Sequence, residues 1–451
     1  MRYKILFATL VIISSFFIGN SQKKKFSYLD LYDLQYASNP QISPNGEWVV
    51  YCRMEMDIMK DKAMGNLWMI NSDGSQHQKL TSREHSESSP RWSPSGDRLA
   101  FISGTDEGSE IYMYWVGSNK IAKISQLPFS PGSLTWSPKG DQLAFTMNQE
   151  EQPPVIAKMP TKPKGAEWAD APRITDRVYH EADGRGYIKP GFSHIFVIPA
   201  NGGAPRQVTS GEYHHRGSLS WSPDGKNIYF SANRSEDWEY DFRNSEVYEV
   251  GIQNEEIKAL TNRKGPDRNP MVSPNGKYIA YIGYEDKVQT YQVRKLHLMN
   301  IDGSGKKVIS EGLDRSISNI VWSSQSEGLY FSYDDKGNSK IGYISLNGKV
   351  TKLADDVGGT TIGRPYSSGS YSVSKDGTLV MTKSRPEHPA ELSILKPKSK
   401  SPLKITNLNK GLFDYRNLGK VEEIWYKSSV DQRDIQGWIV YPPDYDATKK
   451  Y

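Results

Sequence analysis

One cysteine, Cys52, stands in 451 residues, so no intrachain disulfide can form. The longest mostly apolar run, 5–18, has about 14 residues and cannot comfortably span a bilayer. No long stretch carries apolar residues at helical spacing, which sets a helix bundle aside. Net charge is only +5, with Lys and Arg interspersed among Asp and Glu, so the basic stripe of a nucleic-acid binder is missing. The 8 histidines are scattered, and the one adjacent pair, His214-His215, would face opposite sides of a strand. No carboxylate or cysteine spacing completes a zinc set, so no metal site is expected. The sequence also lacks a Gly-x-Ser-x-Gly elbow, a His-Gly-Gly stretch, a Walker loop, a dinucleotide fingerprint and an EF-hand loop. No cofactor and no catalytic residue is expected in this chain, and Cys52, on an expected strand, reads as core.

Aromatics make up 11% of the chain, with 27 Tyr and 11 Trp beside 38 Gly and 26 Pro. That mixture suits short strands separated by tight turns. One turn recurs: Ser43-Pro44-Asn45-Gly46, then Ser-Pro-x-Gly again from Ser93, Ser137, Ser222 and Ser273. Chance would supply on the order of 0.2 matches at average residue usage. Each copy precedes an apolar run such as Leu99-Ala100-Phe101-Ile102, as Pro and Gly reverse one strand into the next. Degenerate copies start at Ser323 and Ser374, so steps are 44 to 51 residues, except one of 85 between Ser137 and Ser222. A second signal, an aliphatic residue usually followed by a hydroxyl residue (Leu80-Thr81, Ile124-Ser125, Val208-Thr209, Leu260-Thr261, Ile309-Ser310, Leu353-Ala354, Ile405-Thr406), also counts seven. Seven units of this length predict an all-β fold, a seven-bladed β-propeller of four-stranded antiparallel blades. Trp92, Trp136, Trp221 and Trp322, just before the turns, are then expected to pack blade on blade.

The repeat is interrupted in two places. The long step implies an insertion of about 35 to 40 residues between Met147 and Ser193, containing Arg173, Arg177 and Tyr179. A shorter one, 233–244, mixes acidic and aromatic residues. Inserted loops on a rigid scaffold are where recognition residues sit, and a solvated surface excursion is the plainer alternative. At the N-terminus, Arg2 and Lys4, the apolar run and Gly19-Asn20-Ser21 have the regions of a secretory signal peptide over 1–21. A soluble exported protein, periplasmic or secreted and without a stable membrane anchor, is expected. After about residue 412 the repeat stops, and 421–427 and 435–441 read as a hairpin whose apolar residues need a partner.

Three stretches, 177–187, 231–248 and 422–443, together resemble the exported serine peptidases of the prolyl oligopeptidase family, in the dipeptidyl-peptidase and acylaminoacyl-peptidase-like branch. The resemblance implies a propeller over 22–412 that admits short peptide substrates, followed over 413–451 by the opening hairpin of an α/β-hydrolase domain. It places the catalytic Ser, Asp and His beyond Tyr451, so the chain reads as a truncated part of such an enzyme and inactive alone. In the dipeptidyl branch, glutamates after an Asp-Trp pair bind the substrate's amino group. Asp237-Trp238-Glu239 is the nearest match, but Tyr240 and Asp241 follow where a second glutamate is expected. Glu239 and Asp241 are thus the implied amino-group ligands, with Arg173, Arg177 and Tyr179 as further substrate contacts. A free-standing TolB-like binding propeller of the cell envelope is the alternative, and a homo-oligomeric state stays open.

Overall fold

Ser43 shows how each blade is started. Its Oγ accepts the Trp48 amide (2.9 Å) and donates to Asn45 Oδ1 (2.6 Å), while the Gly46 amide donates to the Ser43 carbonyl (2.9 Å). Gly46 sits at φ 78°, a left-handed conformation that a Cβ would strain. The same hydroxyl-to-amide bond recurs at Ser93, Ser137, Ser222 and Ser273, 2.9 to 3.1 Å long. In the degenerate sixth copy Ser326 takes the left-handed place (φ 60°) and its amide donates to Ser323 O. The turn geometry therefore survives where the motif does not.

The computed structural model describes residues 23–451 apart from 83, 153, 170, 171, 185 and 362–366. The expected signal peptide, 1–21, lies outside the described residues. Seven four-stranded antiparallel sheets follow one another along the chain, spanning 35–79, 87–123, 131–207, 215–259, 267–308, 317–357 and 371–404 (blades 1 to 7). Strand order within each is sequential, and the first strands of successive blades lie against one another from blade 7 through blade 1 to blade 6. First strands therefore ring the axis and fourth strands form the rim. The seven-bladed all-β propeller expected from the repeat is what the chain forms.

Blades are held together by apolar layers, one cluster joining Leu143, Phe145 and Ile198 of blade 3 to Met113 and Ile111 of blade 2. The tryptophans bolt these layers. Nε1 of Trp92, Trp136 and Trp322 donates to a first-strand carbonyl of the preceding blade, at Gln41, Arg91 and Met271 (2.9 to 3.0 Å). Trp221 is equally buried, yet its Nε1 has no hydrogen-bond partner among the described residues. Cys52 lies within the blade 1 core, and burial pushes its thiol up to about 12.

The hydroxyl signal also has a physical cause. Thr81, Ser125, Thr209, Thr261, Ser310 and Thr406 each accept a third-strand amide 14 residues upstream, at 2.8 to 3.0 Å. That amide sits where the fourth strand has ended, and buried without a partner it would cost about 1–3 kcal/mol. Blade 6 has Ala354 at this position and instead runs its fourth strand on to Val357.

Among the described residues, no strand is shared across the ring closure. Blade 7 packs on blade 1 through Val380, Leu392 and Ile394 against Val49, Tyr51 and Ile70. The Ile42 amide donates to Ser372 Oγ (2.8 Å). Asn409 then clasps the first strand: its Oδ1 accepts the Gln35 amide (2.8 Å) and its Nδ2 donates to the Gln35 carbonyl (2.6 Å). Outside the clasp, Lys24–Lys25 pairs in parallel with Arg416–Asn417, and Arg416 Nη2 meets Asp30 at 2.8 Å. Arg416 and the Ser27 amide hold the Asp30 carboxyl far below the usual carboxylate range.

The hairpin beyond the ring consists of Val421–Lys427 and Asp434–Val440. It leans on the turn between the second and third strands of blade 6. Gln436 Nε2 donates to Lys336 O (2.9 Å), and a Cβ at Gly337 would collide with the Trp438 ring. Trp425, Tyr426, Trp438, Ile439 and Val440 remain exposed on it. No helix among the described residues is long and apolar enough to cross a membrane.

Candidate functional site

Second-to-third-strand turns all emerge on one face of the ring, the face on which the hairpin rests. In blade 3 the two strands, Gln142–Glu150 and Gly191–Pro199, pair along their whole length, so the expected insertion is the excursion 151–190 between them. Its far end folds back as a small hairpin, Glu181–Ala182 with Gly186–Tyr187. In blade 4 the loop after Asn227–Ala232 is organised by Asn233. Its Oδ1 accepts from Ser235 N and Oγ, and its Nδ2 donates to the Asp241 carbonyl (2.8 Å). Amides of Tyr240 and Asp241 donate to Asp237 O, closing one helical turn that carries Trp238 and Glu239.

The two loops enclose a cavity of about 560 Å³ over the seam between blades 3 and 4. Four of the five residues expected from the sequence line it: Arg173, Arg177, Tyr179 and Glu239. Asp241 does not; the helical turn carries it away from the lining. The carboxylate that accompanies Glu239 is Glu151, at the base of the excursion. Arg177 lies between them, with Nη2 at 2.9 Å from Glu151 and Nη1 at 3.9 Å from Glu239. Glu239 Oε2 also accepts the Val178 amide (3.3 Å), which fastens one loop to the other. The Arg177 guanidinium lies 4.4 Å over the Phe192 ring, and Arg173 lies 3.6 Å over Tyr187. A cation held between two carboxylates above an aromatic face is stabilised by all three.

Trp238 and His214 line the cavity and pack against the buried Phe192, with ring centroids 5.2 to 6.0 Å apart. Trp238 belongs to the Asp-Trp-Glu stretch that the sequence offered, whereas Phe192 and His214 were not expected here, because they come from a third strand and a first strand's approach in two blades. His214 Nδ1 accepts the Ser193 amide (3.2 Å). Next to it, His215 bonds the Ser193 carbonyl through Nδ1 (3.3 Å) and meets Arg234 through Nε2 (2.6 Å), which makes Nδ1 the protonated nitrogen. Burial, then Arg216, Arg177 and His194, pushes His214 down to about 3. His214 is therefore neutral in the folded protein at pH 4 but protonated once unfolded, so stability falls with pH below the free histidine value. In urea unfolding, wild type should lose about 1–3 kcal/mol more than His214→Phe between pH 7 and pH 4. Parallel pH profiles for the two proteins would exclude this.

Comparison with known proteins supports this architecture. The TolB beta propeller domain family matches residues 187–407. Dipeptidyl-peptidase 5 of Porphyromonas gingivalis is 27% identical over 441 residues, 93% of this chain and 61% of the relative. An uncharacterized peptidase, YuxL, of Bacillus subtilis is 24% identical over 95% of this chain and 65% of its own length. The chain thus spans about three fifths of the length of these relatives. Among solved structures, Pyrococcus horikoshii acylaminoacyl peptidase superposes with a TM-score of 0.69 at 18% identity, over 91% of this chain and 58% of that one. The β-propeller domain of the Pyrococcus furiosus Trilobed protease, described as having an open velcro topology, superposes with a TM-score of 0.57 at 15% identity, over 85% and 98%. Both share the fold. These similarities point to the prolyl oligopeptidase and acylaminoacyl-peptidase families and to TolB-like propellers.

Proposed function

We propose that this chain is the substrate-admitting propeller of an exported serine peptidase that cleaves short peptides. On this reading 22–412 is the propeller and 413–451 opens an α/β-hydrolase domain, which carries the catalytic residues. The cavity over blades 3 and 4 receives the peptide's N-terminus. The observation that carries the reading is the cation seat between Glu151 and Glu239. There a peptide ammonium takes the place of, or shares, the position that Arg177 fills, and the Arg173 and Arg177 guanidinia turn to the peptide's carbonyl oxygens. Tyr179, 58% exposed, stands in the lining as a further contact. Asp241 takes no direct part in this arrangement.

Placement supports the reading too. The hairpin with its exposed aromatic residues rests on the same face as the cavity. So does the blade 1 turn bearing exposed Ile58 and Met59, beside which Tyr32 donates to Asp61 (2.9 Å). A domain seated on that face would cover apolar surface and enclose the cavity at once. A TolB-like binding propeller is the second reading, favoured by the family match over 187–407.

Calorimetry on the 451-residue chain separates the two. A short peptide with a free N-terminus and a C-terminal amide should bind, and N-acetylation should weaken it about tenfold, as loss of a charge-assisted bond requires. Glu239→Gln should weaken the free-amine peptide by a similar factor and leave the acetylated one unchanged. Equal affinity for free and acetylated peptides would remove the amino-group site and favour the binding propeller.

A further inference from the structure

A second cavity, about 610 Å³, opens on the same face between blades 5 and 6. Its charged lining residues, among the described ones, are Arg243, Arg268, Arg294, Arg315 and Asp334, four cations to one anion. The arginines come from four separate segments: the blade 4 loop, the first strand of blade 5, the approach to its third strand, and the approach to blade 6. Their electrostatic states differ. Arg243 Nε is 3.3 Å from Asp286, and Arg315 Nη2 is 2.8 Å from Asp335, so those two are neutralised. Asp335 is further drawn to Lys340 Nζ at 2.7 Å. Arg268 donates only to neutral oxygens, Ser245 Oγ and the Arg243 carbonyl, both at 3.2 Å. The Arg294 guanidinium has no hydrogen-bond or ion-pair partner among the described residues, although its backbone amide donates to Ser316 Oγ.

The wall beside these two free cations is pinned. Asp286, buried, accepts the Val288 amide (2.9 Å) and Gln292 Nε2 (2.8 Å), and Lys287 N donates to Gln292 Oε1 (2.7 Å). Val288 is held at φ 55°, a conformation that a β-branched residue rarely adopts. Strain of this kind persists where surrounding contacts over-determine it, and it concentrates at ligand clamps. The segment so held presents Tyr291, 74% exposed, to the cavity.

We propose that this cavity is a carboxylate-binding site in which Arg268 and Arg294 take the C-terminal carboxylate, or an acidic side chain, of a bound peptide. Each guanidinium offers a planar fork of donors that matches a carboxylate's two oxygens. Arg243 and Arg315, already paired with Asp286 and Asp335, leave Arg268 and Arg294 as the cations open to the ligand. The choice of a peptide as carrier rests on the function proposed above. The anion site does not, because it is tested with peptides that have no free amine.

N-acetyl-tetraalanine with a free C-terminal carboxylate should bind the 451-residue chain at low ionic strength at least about tenfold tighter than its C-terminal amide. The Arg268→Gln/Arg294→Gln double variant should bind the free acid no better than the amide. Both side chains are exposed, so the variant's thermal unfolding should match wild type. An acetylated, amidated peptide with one internal glutamate identifies the source. Binding as tight as the free acid assigns the site to side-chain carboxylates, and binding as weak as the plain amide assigns it to the C-terminus. Equal affinity for acid and amide, no binding of either, or undiminished binding by the double variant overturns the proposal. Failure of free and acetylated N-termini to differ bears on the cavity over blades 3 and 4 alone.

Discussion

Asn409→Ala is expected to destabilise the ring by about 2–5 kcal/mol, read as a lower urea midpoint at unchanged slope. The side chain is 3% exposed and satisfies both backbone groups of Gln35, at 2.8 and 2.6 Å. Alanine leaves the amide and the carbonyl of half-buried Gln35 without these partners, and each unmade bond costs up to about 1–3 kcal/mol. The bonds also join residues 374 apart in sequence, so they close the ring rather than decorate one blade. Asn409→Asp is the informative companion. It keeps the acceptor for the Gln35 amide and loses the donor to the carbonyl, so it should recover part of the loss. A midpoint for the alanine variant equal to wild type would mean that apolar packing alone closes blade 7 on blade 1.

Phe331→Ala should cost about 3–5 kcal/mol, the range for emptying a fully buried aromatic site. Phe331 is 0% exposed in the layer between blades 5 and 6, among Leu298, Leu329 and Ile344. Directly opposite it in the register stands Gly342, at which an added Cβ would come within 2.7 Å of the Phe331 ring. The glycine is there for space, because the ring lies over the neighbouring strand where a side chain would be. Gly342→Ala alone should therefore destabilise by about 1–3 kcal/mol through overpacking. In the double variant the new methyl enters the space the ring has left. The combined loss should then fall short of the sum by about 1 kcal/mol or more in a double-mutant cycle. Strict additivity would show that ring and glycine are not coupled.

Blade number was legible because each turn solves the same local problem with the same few residues. Ser must bond the amide five residues on, Pro sets the turn and Gly takes the left-handed place, and even Ser323 to Ser326 keeps the geometry with a poorer sequence. The hydroxyl after each aliphatic residue was countable, but its partner amide lies a whole strand upstream, so its cause was not. Closure was hidden for the same reason: nothing near Gln35 announces Asn409. At the cavity over blades 3 and 4, proximity to Trp238 pointed to Asp241, whereas the turn organised by Asn233 carries that residue away. Glu151 lies 88 positions before Glu239 and carries no motif. Its place beside Glu239 arises only once the excursion folds back and sets Arg177 between them. Phe192 and His214 were invisible as partners because strand pairing, not sequence spacing, brings them to one wall.

The parallel pairing of Lys24–Lys25 with Arg416–Asn417 has a consequence for anything joined to this ring. The segment that leads into blade 1 and the one that leaves blade 7 run side by side, although nearly four hundred residues separate them. Since each blade completes itself with its own four strands, nothing must be lent across the junction. Seen from that stalk, the whole propeller is one very large loop, leaving and returning at a single point. A host fold could gain or lose it as one cassette at one peptide junction, with every strand pairing on either side left intact.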